Sequence, residues 1–366
     1  MRIRRLTLQN FRNIGIASLA FEGPRQFLVG ANGQGKTNLL EAAGFLTALR
    51  SFRTSDARLL VMSGQSEAGV SCEMEDGAGM ASRITVRLRE QGRELEWDGV
   101  RVARLADHLG RFPTVVFSSE DLLLVRGPPS GRRRWLDLTI SAMDPDYLRA
   151  LQTYSKALAG RNQILRTGAP DVRQLLAFER MMAPAGAQIL AIREAAVGML
   201  GVAAAAAYSG LTDSGEEGSL AYLSKHAGAT GEILLAALEA GRARDLQAGS
   251  TMTGPHRDDL VLEVRGSAVR DFGSEGQQRS LVLALRLAQA AWFKERSGII
   301  PVLLADDVLG ELDPARRKRF WTLVHPGAQI IATGTEPPSA DFGRTQLFTV
   351  AGGVFTEDAG AGSPIA

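Results

Sequence analysis

Gly30-Ala31-Asn32-Gly33-Gln34-Gly35-Lys36-Thr37 satisfies the pattern G-x-x-x-x-G-K-[ST], in which a glycine-rich loop wraps phosphate groups. The run Phe27-Leu28-Val29 before it reads as a short buried strand. From Thr37 onward, Leu39, Ala42, Ala43, Leu46 and Leu49 recur along one helical face. Between strand and helix the glycines let several backbone N–H groups converge on an anion, and the helix N-terminus adds partial positive charge. All eight residues are therefore candidate nucleotide ligands. Lys36 is placed to reach the β- and γ-phosphates, and the Thr37 hydroxyl to ligate Mg²⁺. The lysine sharpens the match: of 42 basic residues, only Lys36, Lys156, Lys225, Lys294 and Lys318 are lysines.

A chain of 366 residues, 45% of them hydrophobic, has material for two or three lobes with ample core. No run of about eighteen consecutive apolar residues reads as a membrane span, and the basic start Met1-Arg2-Ile3-Arg4-Arg5 leads into no apolar signal region. The single cysteine, Cys72, forms no internal disulfide, and a cytoplasmic protein with no membrane partner is expected. Net charge is only +2, so no global field announces nucleic acid. Locally, residues 1–58 carry nine basic groups against three acids, an excess of six. With Arg132-Arg133-Arg134 and Arg316-Arg317-Lys318-Arg319, they are candidates for phosphate-backbone contact.

The first 120 residues read as strand-rich, with Ile3 to Phe11 opening a meander. Val70–Met74, Ile84–Leu88, Glu94–Trp97 and Thr114–Phe117 are further short strands. From Trp135 to Arg244 the spacing is helical, over Trp135–Ala159, Val172–Tyr208 and Gly231–Arg242, with Asp213–Gly218 a polar loop. Strand Leu260–Val264, helix Gly276–Arg296 and strands Val302–Ala305 and Gln329–Ala332 follow. Glu357–Ala366 reads as a disordered tail. The expected division is 1–120 for the first part of an ATPase lobe, 121–250 for a helical lobe and 251–356 for the remainder of the ATPase lobe, with 357–366 as the tail.

Val302-Leu303-Leu304-Ala305-Asp306-Asp307 is an apolar strand ending in two acids, the second half that a P-loop site requires. It is expected beside the nucleotide strand, with Asp306 on the metal and Asp307 accepting a proton from, or orienting, an attacking water. About 270 residues separate Lys36 from Asp306, so the helical block between them must bulge out as its own lobe. Ser274-Glu275-Gly276-Gln277-Gln278-Arg279 opens a long helix, a second anion-binding arrangement. Taken alone it is a capped helix start. Taken with the first cradle, it suggests a dimer in which Ser274, Gly276 and Gln277 cap the γ-phosphate held by the partner's Lys36 loop.

These three segments, with Glu311-Leu312-Asp313 following the acids, resemble the ATP-binding-cassette heads of SMC-type ATPases. The wording is similar in particular to the RecF family. Leu8-Gln9-Asn10-Phe11-Arg12, Ser51-Phe52-Arg53, Val115 to Leu122, Arg132 to Asp137, Gly254-Pro255-His256-Arg257-Asp258-Asp259 and Phe272 to Ser280 carry that likeness, which spans roughly residues 1–335. It implies an α/β fold, a mixed-sheet cassette-type head with an inserted, mainly helical lobe. It also implies an ATP- and Mg²⁺-dependent homodimer that clamps double-stranded DNA near single-strand/duplex junctions. Its ATP hydrolysis would be weak and DNA-stimulated, with Lys36 and Asp307 as catalytic groups. RecR and RecO are the implied protein partners, in recombinase loading, replication-fork maintenance and SOS induction. Three departures bear on hydrolysis. Ala332-Thr333-Gly334-Thr335 lacks the switch histidine of transporter cassettes, which argues against a transporter subunit. The acid pair is Asp-Asp rather than Asp-Glu, which fits slow turnover. Gly310 replaces the serine expected before Glu311.

Overall fold

The computed structural model describes residues 1–54, 56–77, 79–90, 92–167, 171–212 and 215–358. The apolar run before the glycine loop becomes strand β3 (Arg25–Val29), deep inside a six-stranded sheet. The other members are β8 (Thr114–Ser118), β12 (Val302–Asp306), β13 (Ile330–Gly334), β14 (Gln346–Ala351) and β15 (Val354–Glu357), in the order β15-β14-β3-β13-β12-β8. All neighbours pair in parallel except β14 and β15. Parallel strands are covered on both faces, and β8 and β12 are accordingly buried at every residue. The acid-bearing strand β12 is expected from sequence beside β3; in the fold β13 lies between them instead.

A second six-stranded sheet is antiparallel, in the order β2-β1-β4-β5-β6-β7. Its strands are β1 (Arg2–Phe11), β2 (Ile14–Ala20), β4 (Glu67–Glu75), β5 (Ala81–Arg89), β6 (Gly92–Trp97) and β7 (Val100–Arg101). Every second residue of β4 is buried, Ala68, Val70, Cys72 and Met74 among them, the period-two pattern of a sheet with one dry face. Helix α1 (Lys36–Phe45) packs between the two sheets. Its Leu39, Leu40, Ala43 and Phe45 share one core with Leu6, Phe11, Val70 and Ile84 of the antiparallel sheet and Leu304 and Ile331 of the parallel one. Gln329 ties the sheets polar to polar: its Oε1 accepts from Ile3 N (2.6 Å) and its Nε2 donates to Ile3 O and Gln26 Oε1 (3.0 Å each).

The helix expected to reach Leu49 stops at Phe45. Leu46 and Leu49 remain buried, but tertiary partners engage their carbonyls: His108 Nε2 lies 2.5 Å from Leu46 O and Arg93 Nη1 donates to Leu49 O at 2.6 Å. Leu49 itself has φ 51°, which ends the turn.

Contacts divide the chain into two units, Met1–Asp121 with Gly210–Ser214 and Leu283–Ala366, and Leu122–Ser209 with Gly215–Val282. The boundary expected at 250 thus falls at 282, inside a helix. The second unit holds α2 (Leu123–Arg126), α3 (Pro129–Ser141), α4 (Pro145–Leu165), α6 (Gly231–Ala240), α7 (Arg242–Ala248) and α8 (Val269–Phe272). It also takes most of α5 (Val172–Leu211) and the start of α9 (Glu275–Ser297); α10 (Pro314–Leu323) belongs to the first unit. The single helix expected over Trp135–Ala159 breaks at Ala142–Asp144. There Asp144 caps α4, accepting from Asp146 N and Tyr147 N (2.9 Å each), ahead of Pro145. The block is not purely helical: β9 (Gly218–Leu223), β10 (Asp259–Val264) and β11 (Ser267–Ala268) form a sheet in the order β11-β10-β9. Of the loop expected over Asp213–Gly218, Gly218 begins β9, and 213 and 214 lie outside the described residues.

Helix α5 is long and apolar enough to cross a membrane by length and composition. Its buried stripe nevertheless carries Glu179 and Arg193, both ion-paired within the unit, as befits a core helix of a protein lobe. Of the tail expected from Glu357, Glu357 ends β15 and Asp358 N donates to Leu347 O at 3.0 Å, and 359–366 lie outside the described residues.

Candidate nucleotide site

The glycine loop leaves β3 and enters α1 through backbone that other residues would strain. Gly35, the residue before α1, has φ 112°, and a Cβ there would sit 3.1 Å from Asn13 Oδ1. At Gly30 a Cβ would meet the carbonyl oxygen of Val350 at 2.3 Å. No side chain caps the first amides of α1, so its N-terminal donors point into the loop. Lys36 is buried, and its ammonium donates to Gly30 O (2.6 Å) and Ala31 O (3.1 Å), arching back over the loop.

The loop is braced from outside. Gly353 N donates to Gln34 O (2.8 Å) and Gly352 N to Gln34 Oε1 (2.7 Å), so the β14–β15 turn holds it. Asn13 Nδ2 donates to Gly33 O (3.3 Å), Asn38 Nδ2 to Asn13 Oδ1 (2.7 Å), and Arg53 Nη1 to Asn38 Oδ1 (2.9 Å). Behind them Glu41, fully buried, accepts from Arg12 (2.9 and 2.7 Å), Arg53 (3.1 Å) and Ser51. Sequence reasoning missed Asn13 and Asn38, which carry no pattern of their own.

The fold brings Asp306 to Thr37. Thr37 Oγ1 donates to Asp306 Oδ1 at 2.8 Å. The intervening strand β13 supplies Thr333, whose Oγ1 lies 3.0 Å from Asp306 Oδ1 and 3.4 Å from Asp307 Oδ1 and accepts from Asp307 N at 3.0 Å. The residue met in sequence as the place of a missing histidine therefore holds both carboxylates. Burial raises the Asp306 carboxyl above its ordinary range, against the lowering hydrogen bonds of Thr37 and Thr333, and neighbouring Asp307 adds to the rise. Asp307 has φ 55°, a left-handed conformation that turns its side chain out of the strand's alternation.

Thr37 and Asp306 fit Mg²⁺ as protein ligands: a hydroxyl and a buried carboxylate 2.8 Å apart form a hard oxygen pair. Among the described residues no cluster of three or more His, Cys, Asp or Glu could hold a metal alone.

The Ser274 cluster lies in the second unit. Ser274 Oγ accepts from Gln277 N (3.2 Å) and Gln277 Oε1 accepts from Ser274 N (2.8 Å), a reciprocal capping box at the head of α9. Gln277 Nε2 also donates to Glu216 Oε1 (3.2 Å), and Gln278 bridges Gly273 O (2.9 Å) and Arg126 Nε (2.6 Å). Gly276 follows in the first turn of that helix.

Several candidate DNA residues are otherwise engaged. Arg132 is buried, chelated by Asp259 (2.7 and 2.9 Å) and by the carbonyls of Leu124 and Gly127, and Arg133 donates to Asp258 O. Arg4, Arg12, Arg53 and Arg58 each pair with a carboxylate, as does Arg316 with Asp313. The summed charge of residues 1–58 thus overstates the field they present.

A family model described as the RecF/RecN/SMC N-terminal domain matches residues 2–346. A DNA replication and repair protein RecF from Synechococcus sp. (strain JA-2-3B'a(2-13)) is 36% identical over the whole of both chains. The RecF of Anaeromyxobacter dehalogenans (strain 2CP-1 / ATCC BAA-258) is 40% identical, covering 92% of this chain and 93% of its own. The chain belongs to the RecF family. The solved recombination mediator protein RecF-ATPrS of the RecFOR pathway superposes with a TM-score of 0.88 at 30% identity, covering 98% of each chain. An Smc head bound to a winged-helix domain of ScpA aligns with a TM-score of 0.56 at 16% identity, which shows the fold alone. RecF family membership sets aside the transporter-subunit alternative.

Proposed function

We propose that this chain is an ATP-gated DNA-binding protein of recombinational repair and replication-fork maintenance. ATP is bound by the Gly30–Thr37 loop, with Lys36 neutralising the β- and γ-phosphates and Thr37 and Asp306 holding Mg²⁺. The ion, when bound, screens charge that develops on the transferred phosphoryl group. Asp307 orients the attacking water and receives its proton, and the short Asp-Asp pair makes hydrolysis a slow, DNA-stimulated reset. Ser274, Gly276 and Gln277 cap the γ-phosphate held by a second copy, so ATP closes a homodimer around duplex DNA near single-strand gaps. RecO and RecR act with it in recombinase loading and SOS induction, in the cytoplasm.

The observation that carries this reading is the 2.8 Å contact between Thr37 and Asp306 beside a buried Lys36, groups about 270 positions apart in sequence. Family membership supports it, as does a solved relative described as RecF-ATP in the RecFOR pathway. The test is light scattering with and without ATP, repeated with gapped DNA. Lys36→Ala should lose ATP binding and stay monomeric, and Ser274→Arg should bind ATP yet stay monomeric. Unchanged nucleotide affinity in the first variant sinks the site; an ATP-dependent dimer in the second sinks the capping in trans.

A further inference from the structure

We propose that Arg93 and Arg101, which line a cleft of about 460 Å³ beyond the C-terminal end of α1, and Arg50, next in sequence to its lining residue Leu49, bind phosphodiester groups of DNA. The proposal rests on the DNA-binding reading above and gives it residues. Most arginines of the antiparallel sheet are neutralised in place. Arg87 pairs with Glu96 (2.8 Å), Arg89 with Glu67 (2.9 Å) and Glu94 (3.3 Å), Arg83 with Glu73, and Arg104 with Asp107 (3.2 Å). Among the described residues, Arg50, Arg93, Arg101 and Arg111 pair with no carboxylate. Two of these, Arg93 and Arg101, line one cleft, and Arg50 follows its lining residue Leu49.

Arg93 Nη1 donates to Leu49 O at 2.6 Å, which ties β6 to the turn that presents Arg50. The cleft is lined by Leu49, Arg93, Leu95, Arg101, Val102 and Leu105; Glu94 also borders it, but Arg89 engages its carboxylate. Arg111 stacks 5.1 Å from the Trp97 ring, at the other end of β6 from Arg93. Arg93 and Arg101 are open to solvent, and Val100 beside them is 71% exposed, so an extended ligand can reach them. Burial against protein atoms, and after it the Arg50 charge, lowers the Arg93 pKa from its ordinary value. Only one Arg93 donor is committed to Leu49, and the planar guanidinium suits phosphate oxygens.

This is not a second face of the nucleotide site. The glycine loop lies before the N-terminus of α1 and Arg50 beyond its other end, ~15 Å away for a helix of this length. The ligand is the backbone of nucleic acid, read as charge rather than sequence.

The test is binding of the full chain to a gapped duplex with Mg-ATP, by fluorescence anisotropy between about 50 and 200 mM salt, where each neutralised phosphate contributes a slope of about −0.9 in log K against log salt. Arg50→Gln/Arg101→Gln spares the Arg93–Leu49 bond and should make the slope shallower by about two, with unchanged affinity for a fluorescent ATP analogue. Arg104→Gln, a charge-matched control already paired with Asp107, should keep the wild-type slope. A double variant indistinguishable from that control, or one that loses ATP affinity instead, overturns the assignment. If the wild type binds no DNA, the DNA reading itself falls; if it binds and the double variant matches it, only this site does.

Discussion

Asp307 is held with φ 55°, a conformation that costs an L-residue about 1 kcal/mol or more, though aspartate and asparagine tolerate it better than most. The fold spends that energy where Thr333 Oγ1 accepts the Asp307 amide, directing the carboxylate beside Asp306. Asp307→Gly is expected to raise unfolding stability by up to ~1 kcal/mol while lowering ATP turnover by at least ~10²-fold, the scale of a lost general base. Denaturant titration and a phosphate-release assay read the two effects; stability that falls together with turnover would contradict a functional origin for the strain. Gly30 presents the opposite case. Its missing Cβ leaves room for the Val350 carbonyl, 2.3 Å from where that carbon would stand. Backbone cannot yield as a side-chain end can, so Gly30→Ala should destabilise by about 1–3 kcal/mol and weaken ATP binding as the loop shifts. The glycine pattern was legible in the sequence because phosphate wrapping constrains consecutive residues. That Val350 sets the requirement at Gly30 was not, since the contact joins positions 320 apart.

At the scale of elements, periodicity carried most of the reading, and its failures have local causes. The break between α3 and α4 was written as Asp144-Pro145, a cap and an N1 proline inside an otherwise continuous helical spacing. β9 was hidden because six residues between helices offer too short a window for period two. β13 between β3 and β12 was unreadable in principle: strand order in a parallel sheet depends on crossovers, not on any strand's own residues. The same holds for what joins α4, α5 and α7. Arg161, with no exposed surface, donates to Glu179 (3.1 and 2.9 Å), Asp245 (2.7 Å) and Thr251 (2.7 Å), and Arg242 closes on Glu179 from the other side. Removing one member strands the others without water. Arg161→Met should therefore cost about 3–5 kcal/mol, read by denaturant unfolding followed by circular dichroism. A loss below ~1 kcal/mol would mean that water re-enters and solvates Glu179 and Asp245.

Across the molecule, each unit holds one histidine in neutral form, fully buried in the first and half-buried in the second. In the first, His108 has no exposed surface; Trp97 Nε1 donates to its Nδ1 at 3.2 Å and its Nε2 meets Leu46 O. In the second, His256 Nδ1 lies 2.7 Å from the Tyr154 hydroxyl and its Nε2 2.9 Å from Thr251 O. Both arrangements suit a ring with one proton, on Nε2, and burial pushes each pKa from 6.5 down to about 4. Neighbouring arginines add to the shift, Arg111 and Arg93 for His108 and Arg257 and Arg133 for His256, against the raising effect of the carbonyl bonds. The sign follows from proton counting. Between pH 6.5 and 4 the unfolded chain binds a proton at each position that the folded chain refuses, so stability falls as pH falls through that window and levels off below it. A shift from 6.5 to about 4 corresponds to about 3 kcal/mol per ring. Because the two histidines lie in different units, both units should weaken over the same interval rather than one melting from an intact other. Urea titrations from pH 7 to pH 4, with His108→Gln and His256→Gln as single variants, separate the contributions. Each variant should flatten the pH dependence by roughly half at some cost at pH 7, because glutamine can bond either carbonyl yet never takes up a proton in this range. A wild-type profile that stays level between pH 6.5 and 4.5 would mean that the folded rings protonate as readily as the unfolded ones, and that the Leu46 and Thr251 contacts do not hold them neutral.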